Sequence, residues 1–163
     1  DKPASEGIEF EHVGFCLDAA IVLSVISEGM PLIYNGQEAG NERRLAFFEK
    51  DPIEWRPHPY ADLYRRLFAL KRDNTALCNA AWGARMVRVV NDNLSHVLSF
   101  VRRNERDKVF AVFNLSDGPR VVSFPESLHH GTYTDCFSGE TVTFAADTKL
   151  DIERWGYRVY VQN

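Results

Sequence analysis

The chain has 163 residues, 45% of them hydrophobic and 12% aromatic, enough apolar side chain for the packed core of one ordinary domain or two small units. Its formal charge is -4, with 13 acids against 9 bases up to Cys78 and 10 against 10 beyond it, so neither half carries the basic excess of a nucleic-acid binder. No apolar run approaches the roughly 18 residues that cross a bilayer, and the N-terminus does not read as a signal peptide.

Cys16, Cys78 and Cys136 are odd in number and far apart, which suits neither a disulfide framework nor a metal site. They are expected to be reduced and mostly buried thiols. Residues 1–8 read as a loop punctuated by Pro3, Ser5 and Gly7. From Phe10 to Ser27 the positions Val13, Cys16, Leu17, Ala20, Ile21, Leu23, Ser24 and Val25 recur near a 3.6-residue period, with Gly29 as the stop. Val22 and Ile26 widen that face, which implies burial against a sheet.

The run 29–40, GMPLIYNGQEAG, then reads as a short strand that ends abruptly in polar and glycine residues. Pro31 begins it without needing an N–H, Leu32 to Tyr34 are apolar, and Gly36 and Gly40 permit backbone angles other residues avoid. A charged and proline-rich connection, Asn41 to Pro59, follows. A loop of that length is functional or packed by its own side chains. Phe47, Phe48 and Trp55 either pin it down or offer stacking faces.

Ala61 to Lys71 reads as a second amphipathic helix, with Leu63, Leu67, Phe68 and Leu70 inward and Arg65, Arg66, Lys71 and Arg72 on a solvated face whose basic end suits the helix dipole. From Ala84 the period changes to two. Eight runs follow: Met86–Val89, Val97–Val101, Val109–Phe113, Val121–Phe124, Thr132–Thr134, Thr141–Phe144, Lys149–Ile152 and Tyr157–Val161. Turn residues separate them, including Asn104 to Asp107, Asp117-Gly118-Pro119 and Ser138-Gly139, and such spacing predicts an antiparallel sandwich. His129 and His130 have no acid or cysteine at metal-ligand spacing and read as a surface loop. Asp135 and Glu140 read as turn and cap residues.

Residues 29–40 resemble the eighth barrel strand of the α-amylase family of glycoside hydrolases (glycoside hydrolase family 13), whose usual form is Gly-x-Pro-x-Ile-Tyr-x-Gly-x-Glu-x-Gly. Residues 44–55 (RLAFFEKDPIEW) continue in that family's style, and 61–77 (ADLYRRLFALKRDNTAL) resemble its last barrel helix. Residues 108–117 (KVFAVFNLSD), 131–141 (GTYTDCFSGET) and 155–161 (WGYRVYV) resemble its C-terminal β-domain. The resemblance implies a chain of α/β plus all-β class: the last elements of a TIM-type (β/α)8 barrel over residues 1–78, then an antiparallel β-sandwich over 79–163. It also implies a parent enzyme that hydrolyses α-glucosidic bonds in starch or related glucans.

Enzymes of this family carry an aspartate nucleophile, a glutamate acid/base and a second aspartate on barrel strands four, five and seven. Retaining hydrolysis needs two carboxyl groups about 5 Å apart, so a chain without that pair is expected to be inactive alone. Asp1 stands near the place of the third carboxylate, the transition-state stabiliser, but the Asn-His pair that precedes it in the family is absent; the alternative is a terminal loop residue. Asn35, Gln37 and Glu38 are the substrate-binding candidates, at the C-terminal rim where this architecture places active groups. They contact sugar hydroxyls or support the carboxylates; alternatively Glu38 anchors loop backbone and Gln37 is a tolerated variant where relatives often carry an acid.

The alternative function is a non-catalytic, carbohydrate-binding β-sandwich, for which Trp82, Tyr133, Trp155, Tyr157 and Tyr160 are the candidate platforms. The expected partner is the α-glucan substrate of the parent, with no nucleic acid and no membrane. Self-association is expected through barrel surface left bare around the first helix and the strand. No metal ligands and no cofactor are assigned to this chain, and calcium in the parent stays open.

Overall fold

The computed structural model describes residues 16–46 and 48–162. Asp1, the first part of the expected Phe10–Ser27 helix and Phe47 lie outside them. Helix α1 spans Leu17–Ile26 and is apolar almost all round; Ala19, Ile21, Val22, Val25 and Ile26 are buried, as a helix sandwiched between other elements requires. Helix α2 spans Pro59–Asp73, wider than the periodicity marked. Its start follows from local chemistry: Pro59 takes the first turn, where its missing N–H costs nothing, and His58 Nδ1 accepts from the Tyr60 N–H at 3.3 Å.

One expectation on α2 is corrected. Lys71 is not on the solvated face: half-buried, it donates to Val25 O at 3.2 Å and Leu77 O at 2.9 Å, satisfying carbonyls near the end of α1 and in the turn after α2.

Eight strands follow: β1 Met86–Arg88, β2 Val97–Arg103, β3 Lys108–Asn114, β4 Arg120–Ser123, β5 Gly131–Asp135, β6 Thr141–Phe144, β7 Lys149–Ile152 and β8 Tyr157–Gln162. Six form an antiparallel sheet in the order β1-β2-β3-β8-β5-β6, and β4 pairs with β7 in a second, two-stranded sheet. Register in the large sheet runs from Val97 opposite Asn114 to Arg103 opposite Lys108, and from Lys108 opposite Gln162 to Phe113 opposite Tyr157. The antiparallel sandwich read from the sequence is therefore present.

The central strands are buried on both faces, which is why β3 is nearly uninterrupted apolar sequence. Phe100, Val109, Ala111, Phe113 and Val159 pack beneath α1 and α2 with Leu67 and Leu77. Val101, Phe110, Val112, Tyr133, Phe144 and Tyr160 fill the space between the sheet and Val122, Phe124 and Ile152.

Arg102, 1% exposed, joins the helices to the strands. Projecting from β2, it donates to Ala84 O (2.8 Å), Cys78 O (3.1 Å), Ile26 O (3.1 Å) and Ser27 O (2.9 Å). A cation so placed satisfies the carbonyls at the end of α1 and meets the negative end of its dipole. Burial holds the guanidinium below its ordinary pKa. Asn114 does the same at the far end of the sheet, donating to Gly118 O and Glu153 O, both at 2.8 Å, while its Oδ1 accepts from Ser116.

Residues 31–34, read from the sequence as a strand, pair in neither sheet. A strand exists only where neighbours receive its N–H and C=O groups, and among the described residues none lies alongside; the Tyr34 N–H is satisfied instead by Gln37 Oε1 at 2.8 Å. Cys16, Cys78 and Cys136 are half-buried and in no disulfide.

Candidate functional site

The polar end of the 29–40 run forms a tight 3₁₀ turn, Gln37–Ala39, bracketed by Gly36 at φ 99° and Gly40 at φ 65°. Both are backbone conformations that glycine adopts without a Cβ penalty. Four backbone bonds of 3.0 Å close it: Gln37 N–H to Tyr34 O, Ala39 and Asn41 N–H to Gly36 O, and Gly40 N–H to Gln37 O. Gln37 and Glu38 are half-buried, and Asn35 is exposed beside them.

The side chains brace this turn. Gln37 Oε1 accepts from Tyr34 N–H, and Glu38 Oε2 accepts from Gly36 N–H at 3.1 Å, so the anchoring role weighed for Glu38 is present in the geometry. The three candidates lie within four residues of one another. The Asn35 side chain is the one left facing solvent, able to donate and accept from a polar ligand.

The loop over 41–58 packs on the turn through contacts that sequence reading missed. Arg56 donates to Ala39 O at 3.3 Å and Gly40 O at 3.0 Å. Arg43 clasps Asp51 with two bonds of 2.8 and 2.6 Å, and Asp51 also accepts from Ala46 N–H at 2.8 Å. The Arg43 bond, reinforced by that amide, lowers the Asp51 pKa below the usual carboxylate range. The signal was there as a basic and an acidic residue eight apart in a proline-rich loop, but spacing alone does not reveal a pair across a bend. Of the loop's described aromatic residues, Phe48 is 93% and Trp55 59% exposed.

Gly40 is required here. A Cβ on it would lie 2.5 Å from His58 Cδ2 and Nε2, and His58 itself caps α2. Gly40→Ala is expected to cost about 1–3 kcal/mol through this clash and the left-handed backbone. A urea titration beside the wild type checks it, and an unchanged midpoint would contradict this account.

Among the described residues, the carboxylates whose pKa departs from the ordinary value are Asp51, Asp73, Asp92 and Glu153, and all four are lowered. A general acid in glycoside hydrolysis needs the opposite shift. Among the described residues no group of three or more His, Cys, Asp or Glu could hold a metal, and no helix is long and apolar enough to cross a membrane.

Of the five aromatic platforms considered for a binding sandwich, Tyr133 and Tyr160 are buried and Trp155 and Tyr157 half-buried. Tyr133 and Tyr160 lie in the inter-sheet core, and Tyr157 packs on Phe113 and Phe137. Trp82 alone stands clear, 85% exposed, and it lies in the linker before β1, above a groove that Met30, Pro31, Phe68 and Asn79 also line.

Residues 87–159, nearly the whole span from β1 to β8, match the family model described as the maltogenic amylase C-terminal domain. The chain is 24% identical over 140 residues to alpha-amylase 2 of Dictyoglomus thermophilum, a match covering 78% of this chain and 23% of that protein. Its fold is similar to the crystal structure of a noncanonic maltogenic alpha-amylase, AmyB, from Thermotoga neapolitana, with a TM-score of 0.75, 18% identity, and coverage of 90% of this chain and 36% of that one. An Anoxybacillus alpha-amylase superposes with a TM-score of 0.69 at 18% identity, covering 89% of this chain and 31% of its own. The chain thus spans about a quarter to a third of these relatives.

Proposed function

From the premise that this chain belongs to the α-amylase family, as a C-terminal part of such a protein, we propose that it closes and stabilises the catalytic barrel of a glycosidase that hydrolyses α-glucosidic bonds in starch or related glucans. The observation that carries this reading is the match of residues 87–159 to an amylase C-terminal domain, nearly the whole span of the eight strands. Residues 1–78 are the end of the barrel and 79–163 the β-domain. Arg102 ties the two, holding the end of α1 and the 78–84 linker from a strand of the β-domain.

Support for the barrel reading comes from the 30–34 segment. Met30, Leu32 and Tyr34 are exposed while Pro31 and Ile33 are half-buried, the period of two expected of a strand whose sheet lies elsewhere. Upstream barrel strands supply the missing pairing and cover Met30 and Leu32; in their absence that surface favours self-association. The turn at Gln37–Ala39 then sits at the rim, with Asn35, Gln37 and Glu38 toward the hydroxyls of a glucan.

The nucleophile and the acid/base lie in the upstream part, so the chain alone binds no transition state. The test is release of reducing sugar from soluble starch by the purified chain, at a single intact mass, beside Asp1→Asn. No release is expected from either. Release by the wild type that vanishes in the variant would overturn the assignment of catalysis to upstream residues and place it on Asp1.

A further inference from the structure

His129, read from the sequence as part of a surface loop, is fully buried. It occupies the Ser127–His130 turn, closed by His130 N–H to Ser127 O at 2.9 Å. The turn's backbone is fastened to the large sheet by two long side chains: Tyr133 Oη of β5 donates to His129 O, and Lys108 Nζ of β3 to His130 O, both at 2.9 Å. The ring, by contrast, has no hydrogen-bond partner at either nitrogen, and nor does Nε2 of His130. It is boxed by Phe124 at 4.8 Å, Phe110 at 5.4 Å and Phe144 at 6.0 Å between centroids, with the His130 ring edge-on at 4.7 Å.

These walls belong to both sides of the sandwich: Phe110 and Phe144 to the six-stranded sheet, and Phe124 to the segment leaving β4. The charged and titratable groups placed against the ring and its turn are Lys108 from β3, His130 from the turn itself and the Tyr133 phenol from β5; Phe124 and Phe144 bring none. Both groups that act on its charge, His130 and Lys108, oppose a proton, and no carboxylate acts on it.

We propose that His129 is an acid-operated latch: on gaining a proton its ring leaves the aromatic box, and the Ser127–His130 turn, with the β4–β7 pair it adjoins, comes away from the six-stranded sheet. A buried cation with no acceptor is far costlier than a buried neutral imidazole. Burial, with His130 and Lys108 adding to it, brings the pKa down to about 4. An opened or unfolded histidine titrates near about 6.5. The open form therefore binds more protons, and closure is fully stable above the unfolded value, weakening as pH falls from about 6.5 towards about 4. The inference does not rest on the proposed glycosidase role, and a starch assay leaves it untouched.

Amide exchange at several pH values, corrected for intrinsic rates, tests it on the chain as it stands. Between pH 7 and pH 4.5 (about two units below the ordinary histidine pKa), protection at His130 and across the β4–β7 ladder is expected to fall on the order of 50-fold, while β2–β3 keeps its own. His129→Phe, which keeps the box filled without a base, is expected to hold that protection within about fivefold over the same range. An equal loss in both proteins would overturn the latch. Where the variant does not fold, NMR titration of the wild-type His129 ring decides: a folded-state midpoint near about 4 supports it. A midpoint near about 6.5 overturns it.

Discussion

Arg102→Met is expected to lower the stability of this chain by about 3 kcal/mol, seen as an earlier urea midpoint with an unchanged slope. The guanidinium serves four carbonyls, two at the end of α1 and two in the 78–84 linker, and methionine fills much of its volume while serving none. What is lost is less the attraction than the pairing of buried oxygens at Ile26, Cys78 and Ala84, each costing about 1–3 kcal/mol when left dry, reduced by whatever water enters. Arg102→Lys should recover only part, because an ammonium cannot span both α1 and the linker as the planar fork does. A loss under about 1 kcal/mol for the methionine variant would mean that the helices and the β-domain are held by apolar packing alone.

Phe110→Ala should cost more, about 3–5 kcal/mol. The ring sits at the centre of the inter-sheet core, with Phe144 at 5.2 Å, Phe124 and His129 at 5.4 Å, Tyr160 at 6.1 Å and Tyr133 at 6.3 Å between centroids. Its neighbours hang from β5, β6, β8 and the turn after β4, so they cannot collapse together into the void, and the cost belongs at the upper end of the range. Val121→Ala is the control: Val121 lies on the outer face of β4, more than half exposed, and should move the midpoint by less than about 0.5 kcal/mol. Similar losses from the two substitutions would show that the core has no defined centre.

The β-domain was readable because its signals are local. Strands such as Thr141–Phe144 and Lys149–Ile152 announce themselves by alternation between turn residues, β3 by a short apolar run, and all eight strands fall on the runs read from the sequence. The 31–34 segment misled for the opposite reason: its apolar residues are those of a strand, but a strand is a property of its neighbours, and no residue described in this chain pairs with it. Lys71 and His129 were misplaced by residue type. A lysine at the end of a helix normally reaches water, yet here two dry carbonyls lie within its length. A histidine in a turn is normally wet, yet here aromatic rings from both sides of the sandwich close over it. At the candidate site, Asn35, Gln37 and Glu38 were legible from their place between two glycines. The braces Arg43–Asp51 and Arg56 were not, since they depend on how a long loop bends back.

The strand order has a consequence for how the chain is made. β8 is the last of the eight strands in sequence but lies third from one edge of the large sheet, between β3 and β5. As the polypeptide emerges from a ribosome, β1 to β3 can pair in sequence and β5 can pair with β6, yet the two ladders share no hydrogen bond until Tyr157–Gln162 arrives to lie between them. Throughout synthesis of the intervening residues, two unpaired strand edges, the apolar β3 and the more polar β5, wait open for the same insert. The speed of translation over this stretch, and any chaperone that shields such edges, therefore bears on the yield of folded protein as directly as the equilibrium stability of the finished sheet.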